Sequence, residues 1–131
     1  MGSFSDYTED ALLNHLFGKG NYAPPTIYVG LSAADPGDSG AGLSEPNGKG
    51  YARVATTEAD WNVATNGLLD NANAILLGPA TGDWGTLTHF ALFDASASGH
   101  LLLHGALTQP KTIESGDSAR FASGELDITL D

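Results

Sequence analysis

The sequence predicts a mainly β fold: an antiparallel β-sandwich or jelly roll of about six to eight strands, preceded by one short N-terminal helix. The main observation is the stretch 80–131, where short alternating runs end at Gly, Pro, Asp or Ser with no helical pattern between them. In the last run, Leu126, Ile128 and Leu130 alternate with polar residues, as in a strand with one buried face. A chain of 131 residues fits a single domain, residues 1–131, with a sizeable core.

The helix is predicted over residues 5–18. Ser5 or Asp6 is a suitable N-cap, and Glu9 stands three residues after Asp6, as in a capping box. The glycines of residues 18–20 supply the C-terminal stop. Two pairs of apolar residues four apart should form one stripe on this helix: Leu12 with Leu16, and Leu13 with Phe17.

The β region is predicted over residues 26–131. In its first strand, 26–32, Ile27, Val29 and Leu31 share one face. Further strands are predicted in this order: 51–57, 73–77, 86–94, 100–108 and 120–131, with a short piece at 111–113. The strand pattern leaves a sandwich and a partly closed barrel as alternatives.

The loop 33–50 consists mostly of turn-forming residues, and a loop of this length is either a solvated connection or a contact arm. Its carboxylates Asp35, Asp38 and Glu45 raise the possibility of a calcium site, although their spacing does not match the EF-hand. Three aromatic residues, Tyr51, Trp61 and Trp84, fit either a sugar-stacking platform or the closing of a core or an oligomer interface.

Catalytic patterns are weak throughout. His100 and His104 have the spacing of a zinc pair on a helix, but on a strand four residues span about 13 Å, too far for one metal. The Gly-Asp-Ser triplets at 37–39 and 116–118 resemble a lipase nucleophile box, but neither lies between a strand and a helix, so both are predicted to be tight turns. We therefore predict no enzyme, no catalytic residues, no cofactor and no metal.

Charge and composition narrow the classes of partner that the chain can bind. The formal net charge of −11 opposes contact with nucleic-acid phosphates or anionic lipid. There are no cysteines, no apolar run near the roughly 20 residues of a membrane span, and no signal-peptide pattern. We expect synthesis in the cytoplasm and partners that are proteins.

An ordered set of segments carries a resemblance. The segments are YAPPTIYVGL at 22–31, GYAR at 50–53, ATGDWGTLTHFALFD at 80–94, LLHGALTQPKTIESGD at 102–117 and ITLD at 128–131. In this order they resemble a family of small tailed-bacteriophage proteins, usually labelled tail fibre or uncharacterised virion protein. The resemblance implies a structural role in the phage particle, with the exact position left open, and supplies no catalytic residues. We predict that the chain lies on the exterior surface of the virion.

Two positions in such a particle fit a single compact module. The first is a capsid decoration (cement) protein, which binds the major capsid protein and acts as a homotrimer that stabilises the head lattice. The alternative is a short tail-fibre or tail-tip component that contacts tail proteins and binds the host surface. The predicted interaction residues are Phe4, Tyr7, Leu12, Leu16 and Phe17 near the N-terminus, Asp35, Asp38, Glu45 and Lys49 in the loop, and Tyr51 and Trp84.

Overall fold

Strands make up most of the regular structure in a computed structural model that describes residues 2–130. The elements, in chain order, are β1 Gly2–Phe4, α1 Asp6–Leu16, β2 Tyr28–Ser32, β3 Val54–Ala55, a 3-10 turn Glu58–Asp60, β4 Leu68–Asp70, β5 Ile75–Leu77, β6 Gly85–Phe93, β7 Leu101–Ile113, β8 Ala119–Phe121 and β9 Asp127–Thr129. The predicted fold class, mainly β with one helix near the N-terminus, is confirmed.

Seven of the strands form one sheet in the order β3-β2-β6-β7-β1-β9-β4, and β5 and β8 form a separate pair. Neighbouring strands are antiparallel except β1 and β9, which run parallel at the contact between Gly2 and Ile128. The layers are therefore a large mixed sheet and a small second one. The parallel contact arises because β1 inserts between β7 and β9. The sequence did not predict β1, because three residues are too few to show a strand pattern.

The core lies on one face of the large sheet. Val29, Leu92, Leu103 and Phe4 stand opposite one another across β2, β6, β7 and β1, and directly opposed residues point to the same face. The β5–β8 pair adds buried side chains to the same cluster: Ile75, Leu77, Ala119 and Phe121. Long-range pairing thus buries residues that are far apart in the chain.

Several predicted strands have other bounds in the structure. The predicted strand at 51–57 is reduced to Val54–Ala55, whereas the pieces at 100–108 and 111–113 join into the single long strand β7. The predicted strand at 120–131 divides into β8 and β9, separated by a turn. Leu130 is exposed, so it does not share the buried face of Leu126, and Asp131 lies outside the described residues.

The helix α1 is capped by Ser5, one of the two predicted candidates, so that Asp6 is not the N-cap and does not form the predicted capping box with Glu9. The helix packs little. The Ser5 Oγ accepts a hydrogen bond from the Thr8 backbone N–H at 3.3 Å, which confirms Ser5 as the N-cap. Thr8 is the buried residue of the helix. In the apolar stripe, Leu12 is half-buried, whereas Leu13, Leu16 and Phe17 point to solvent. Within residues 2–130, no helix has both the length and the apolar character needed to cross a membrane.

Candidate functional site

A buried polar cluster fixes the loop 33–50 against the sheet. Arg53 donates from Nε to Glu45 Oε2 at 3.0 Å and from Nη2 to Glu45 Oε1 at 2.6 Å, so the ion pair is bidentate. Its Nη1 donates to two backbone carbonyls of the turn 95–98, each at 2.9 Å. The guanidinium also lies 3.4 Å from the centroid of the Phe93 ring. One side chain therefore joins the loop, the sheet and the β6–β7 turn.

Tyr51 completes this cluster. Its hydroxyl donates to Glu45 Oε2 at 2.6 Å and accepts from the Leu31 backbone N–H at 3.0 Å. Burial, followed by the hydrogen bond to Glu45, raises the pKa of Tyr51. The cluster sits directly over Gly30, where a Cβ atom would lie 2.7 Å from the Tyr51 hydroxyl oxygen. The region of the loop around Glu45 is thus packed against β2 and is not a free arm.

The structure separates Glu45 from Asp35 and Asp38, the other two carboxylates that suggested a calcium site. Asp38 Oδ1 lies 2.9 Å from His104 Nε2, and Asp35 Oδ1 lies 3.6 Å from His104 Nδ1, whereas Glu45 binds Arg53. These three side chains therefore do not form one ligand set. The sequence did not indicate His104 as their partner, because it stands on β7, far along the chain.

A different acidic group does come together at the start of α1. Carboxylate oxygens of Asp6, Glu9 and Asp38 lie within 4.8 Å of one another, and all three residues are exposed. Exposed carboxylates commonly cluster without a metal ion, so we assign no metal to them.

His100 and His104 serve separate contacts. The His100 Nδ1 lies 2.8 Å from Asp94 Oδ2, and its ring stacks on Tyr7 with centroids 3.8 Å apart. Burial opposes ionisation of Asp94, but the hydrogen bonds from the His100 N–H and imidazole outweigh it and lower the pKa of the carboxyl. His104 is buried and faces the loop. The two histidines therefore tie α1 and the loop to the sheet.

The three aromatic residues do not form one platform. Trp84 is buried, and its ring meets that of Tyr51 edge to face, with the ring centroids 5.3 Å apart. Its Nε1 donates to the Lys49 carbonyl at 2.8 Å. Trp61 lies elsewhere, with its Nε1 donating to Thr56 Oγ1 at 2.9 Å. The described contacts of Tyr51 and Trp84 are inside their own chain, and a role for them in partner binding stays a prediction.

The C-terminal end of α1 presents an apolar surface, the helix-end patch, which comprises Leu13, Leu16 and Phe17. Their exposed fractions are 55%, 77% and 74%. Lys19 is exposed just beyond them, and its backbone N–H donates to the Asn14 carbonyl at 2.7 Å. Among the other predicted contact residues, Tyr7 is partly covered by His100 and Phe4 is held in β1. Contiguous exposed apolar side chains of this kind mark interaction sites.

An open apolar groove of about 670 Å³ lies on the core-bearing face of the sheet. Its walls include sheet residues Phe4, Leu103 and Ile128, and Trp61 and Val63 from the segment after the 3-10 turn. Val63 is 90% exposed at the rim. The sequence did not reveal this groove because its walls come from both ends and the middle of the chain.

The sequence also matches a known family over almost its whole length. A family model described as Podophage GP4 fiber I protein gp80 matches residues 3–129. Among the curated proteins, none matches the chain. The matched region includes α1, the loop 33–50, the helix-end patch and the strands of both sheets.

Proposed function

Since the chain belongs to the podophage GP4 fiber I protein gp80 family, a family of phage structural fibre proteins, we propose that it is a non-enzymatic structural subunit on the outside of the virion. The resemblance seen in the sequence, to tailed-phage virion proteins labelled tail fibre, is confirmed at the family level. On this proposal the chain acts by holding its place against neighbouring subunits.

The observation that carries the proposal is the helix-end patch. Leu16 and Phe17 are large apolar side chains left mostly in water, where each would gain free energy by burial against a partner at about 25 cal/mol per Å². The rest of the module is firmly held, since Arg53 and the two histidines tie its loop and helix to the sheet. A module whose loop and helix are held against the sheet, and which exposes an apolar patch, suits an assembly subunit.

One placement that we propose is a fibre or tail-tip structure, because the family description names a fibre protein. Its partners there are copies of itself and tail proteins. The acidic balance, with 16 Asp and Glu against 5 Lys and Arg, supports protein partners over nucleic acid or a membrane surface. In this placement the fold attaches the chain to its partner subunits. Binding to the host surface follows from the position of the chain at the tail.

Capsid decoration is the other candidate, and the mainly β fold of residues 2–130 fits it. A small rigid domain that binds the assembled head lattice, and not the dissociated major capsid protein, stabilises the lattice by mass action. The same helix-end patch would then face the capsid.

Immunogold electron microscopy of intact particles, with antibody raised against this chain, tests both placements. Gold confined to the tail or its fibres supports the fibre role, and gold over the whole head supports decoration. Particles from a phage lacking the coding sequence serve as the control. Absence of gold from intact virions, with the protein present in the infected lysate, would overturn the exterior structural role.

A further inference from the structure

We propose that the helix-end patch of one copy docks into the apolar groove of a second copy of this chain, in a head-to-tail contact. The inference deepens the proposed role as an assembly subunit and rests on it. It names the occupant of the groove and the partner of the patch at once. The groove buries the apolar side chains of the patch, and the patch fills the groove.

The first argument is the match in chemistry and size. Leu13, Leu16 and Phe17 project apolar side chains from the end of one helix, and the groove walls are apolar side chains as well. A volume of about 670 Å³ lies within the range of pockets that enclose groups larger than one side chain. No residue of α1 lines the groove, so a copy does not fill its own groove with its patch.

The second argument is charge. Among residues 2–130, Glu58 is the one charged residue that lines the groove, and Lys19 is exposed two residues beyond Phe17. The chain has only 5 Lys and Arg residues against 16 acidic ones, so an apolar patch flanked by a lysine is an uncommon arrangement on this surface. When the patch enters the groove, Lys19 is free to pair with Glu58 of the second copy. This charge complementarity favours a second copy over an unrelated partner.

The third argument is direction. Successive residues of a strand point to opposite faces, so Leu103 faces the groove and His104 faces the loop 33–50. The start of α1 is joined to that loop by the Asp6 N–H, which donates to the Asp38 carbonyl at 2.9 Å. Patch and groove are therefore different surfaces, as the proposed head-to-tail contact requires, and such a contact closes into a ring or continues as a filament. A ring of three matches the homotrimer predicted from the sequence.

Size-exclusion chromatography with light scattering on the purified chain provides the test. Wild type should be oligomeric at micromolar concentration. F17E removes the patch but keeps the groove, and V63E blocks the groove but keeps the patch, so each variant alone should be monomeric. Mixed at equal amounts, they should form a one-to-one heterodimer, because one intact patch and one intact groove remain. The control is L76E, a change at a side chain that is 52% exposed on β5 and outside both surfaces, which should stay oligomeric.

The charge pair gives an independent reading. K19E and E58K should each weaken association about two- to fivefold, and the double variant should recover most of the loss. Circular dichroism checks that every variant is folded. A monomeric wild type, variants that remain oligomeric, or a mixture that does not pair would each overturn the inference. Because these measurements use purified protein, they can fail while gold still labels the virion, and they can succeed when it does not.

Discussion

Replacing Arg53 by alanine tests how much the polar cluster contributes to stability. The side chain is 6% exposed and makes two hydrogen bonds to Glu45 and two to backbone carbonyls. R53A therefore removes the donor to both carbonyls and leaves the mostly buried Glu45 carboxylate without its positive partner, with the Tyr51 hydroxyl as its remaining side-chain donor. Removing one partner of a buried ion pair costs about 3–5 kcal/mol. For a domain of this size, that corresponds to a fall in melting temperature of roughly 10–20 °C.

Urea and thermal unfolding followed by circular dichroism measure this loss, with R120A as the matched control. Arg120 is exposed on β8, so its removal should change the free energy of unfolding by less than about 0.5 kcal/mol. E45A should also destabilise, and the double variant should lose clearly less than the sum of the two single losses. A loss below about 1 kcal/mol for R53A, or simple additivity with E45A, would refute the assignment of this cluster as the anchor of the loop.

Three further outcomes follow from described contacts. G30A should destabilise by about 1–3 kcal/mol, because its Cβ meets the Tyr51 hydroxyl, whereas G20A, with its nearest atom at 3.9 Å, should be nearly neutral in urea unfolding. Tyr51 has a raised pKa in the folded chain, so its stabilising effect is complete below pH about 10 and is lost as the pH rises further; absorbance titration should show one late-ionising tyrosine that Y51F removes, and unchanged curves would contradict this. Asp60 has a lowered pKa, chiefly from the Thr57 backbone N–H and then the Asn73 amide, so its contribution is present above pH about 4 and is lost as the pH falls through the lowered pKa; D60N should therefore lose less stability than wild type between pH 6 and pH 3, and equal losses would contradict this.

Local patterns predicted the local parts of the fold. The Ser5 cap, the helix after it, and the strands around Val29, Phe90 and Leu103 are written in short-range periodicity and turn residues. The strand β1 was not predicted, because three residues carry no period, and only pairing with β7 and β9 makes them a strand. The apolar stripe of α1 predicts which side chains share a face, but not that most of this face points to solvent.

The candidate site was less predictable because its parts meet only through the tertiary fold. Phe17 was predicted to lie inside the helix and to be a contact; in the structure it is the C-cap residue after Leu16, and it is exposed. The position of Val63 at the groove rim was not predicted, because an isolated valine in a turn-rich segment has no pattern that indicates a groove. The partners of Glu45 and Asp38 were likewise hidden, since Arg53 and His104 are ordinary strand residues in sequence.

The pairing of β1 with β9 has a consequence for folding of the protein during its synthesis on the ribosome. The large sheet requires contact between Gly2 and Ile128, so its final arrangement forms only after nearly all the matched region has been synthesised. Bringing together residues so distant along the chain has a high entropic cost, and topologies with many such contacts fold slowly. Until β9 emerges, β1 has β7 as its only partner in the sheet, and a chaperone or an early-folding neighbour has that interval in which to act.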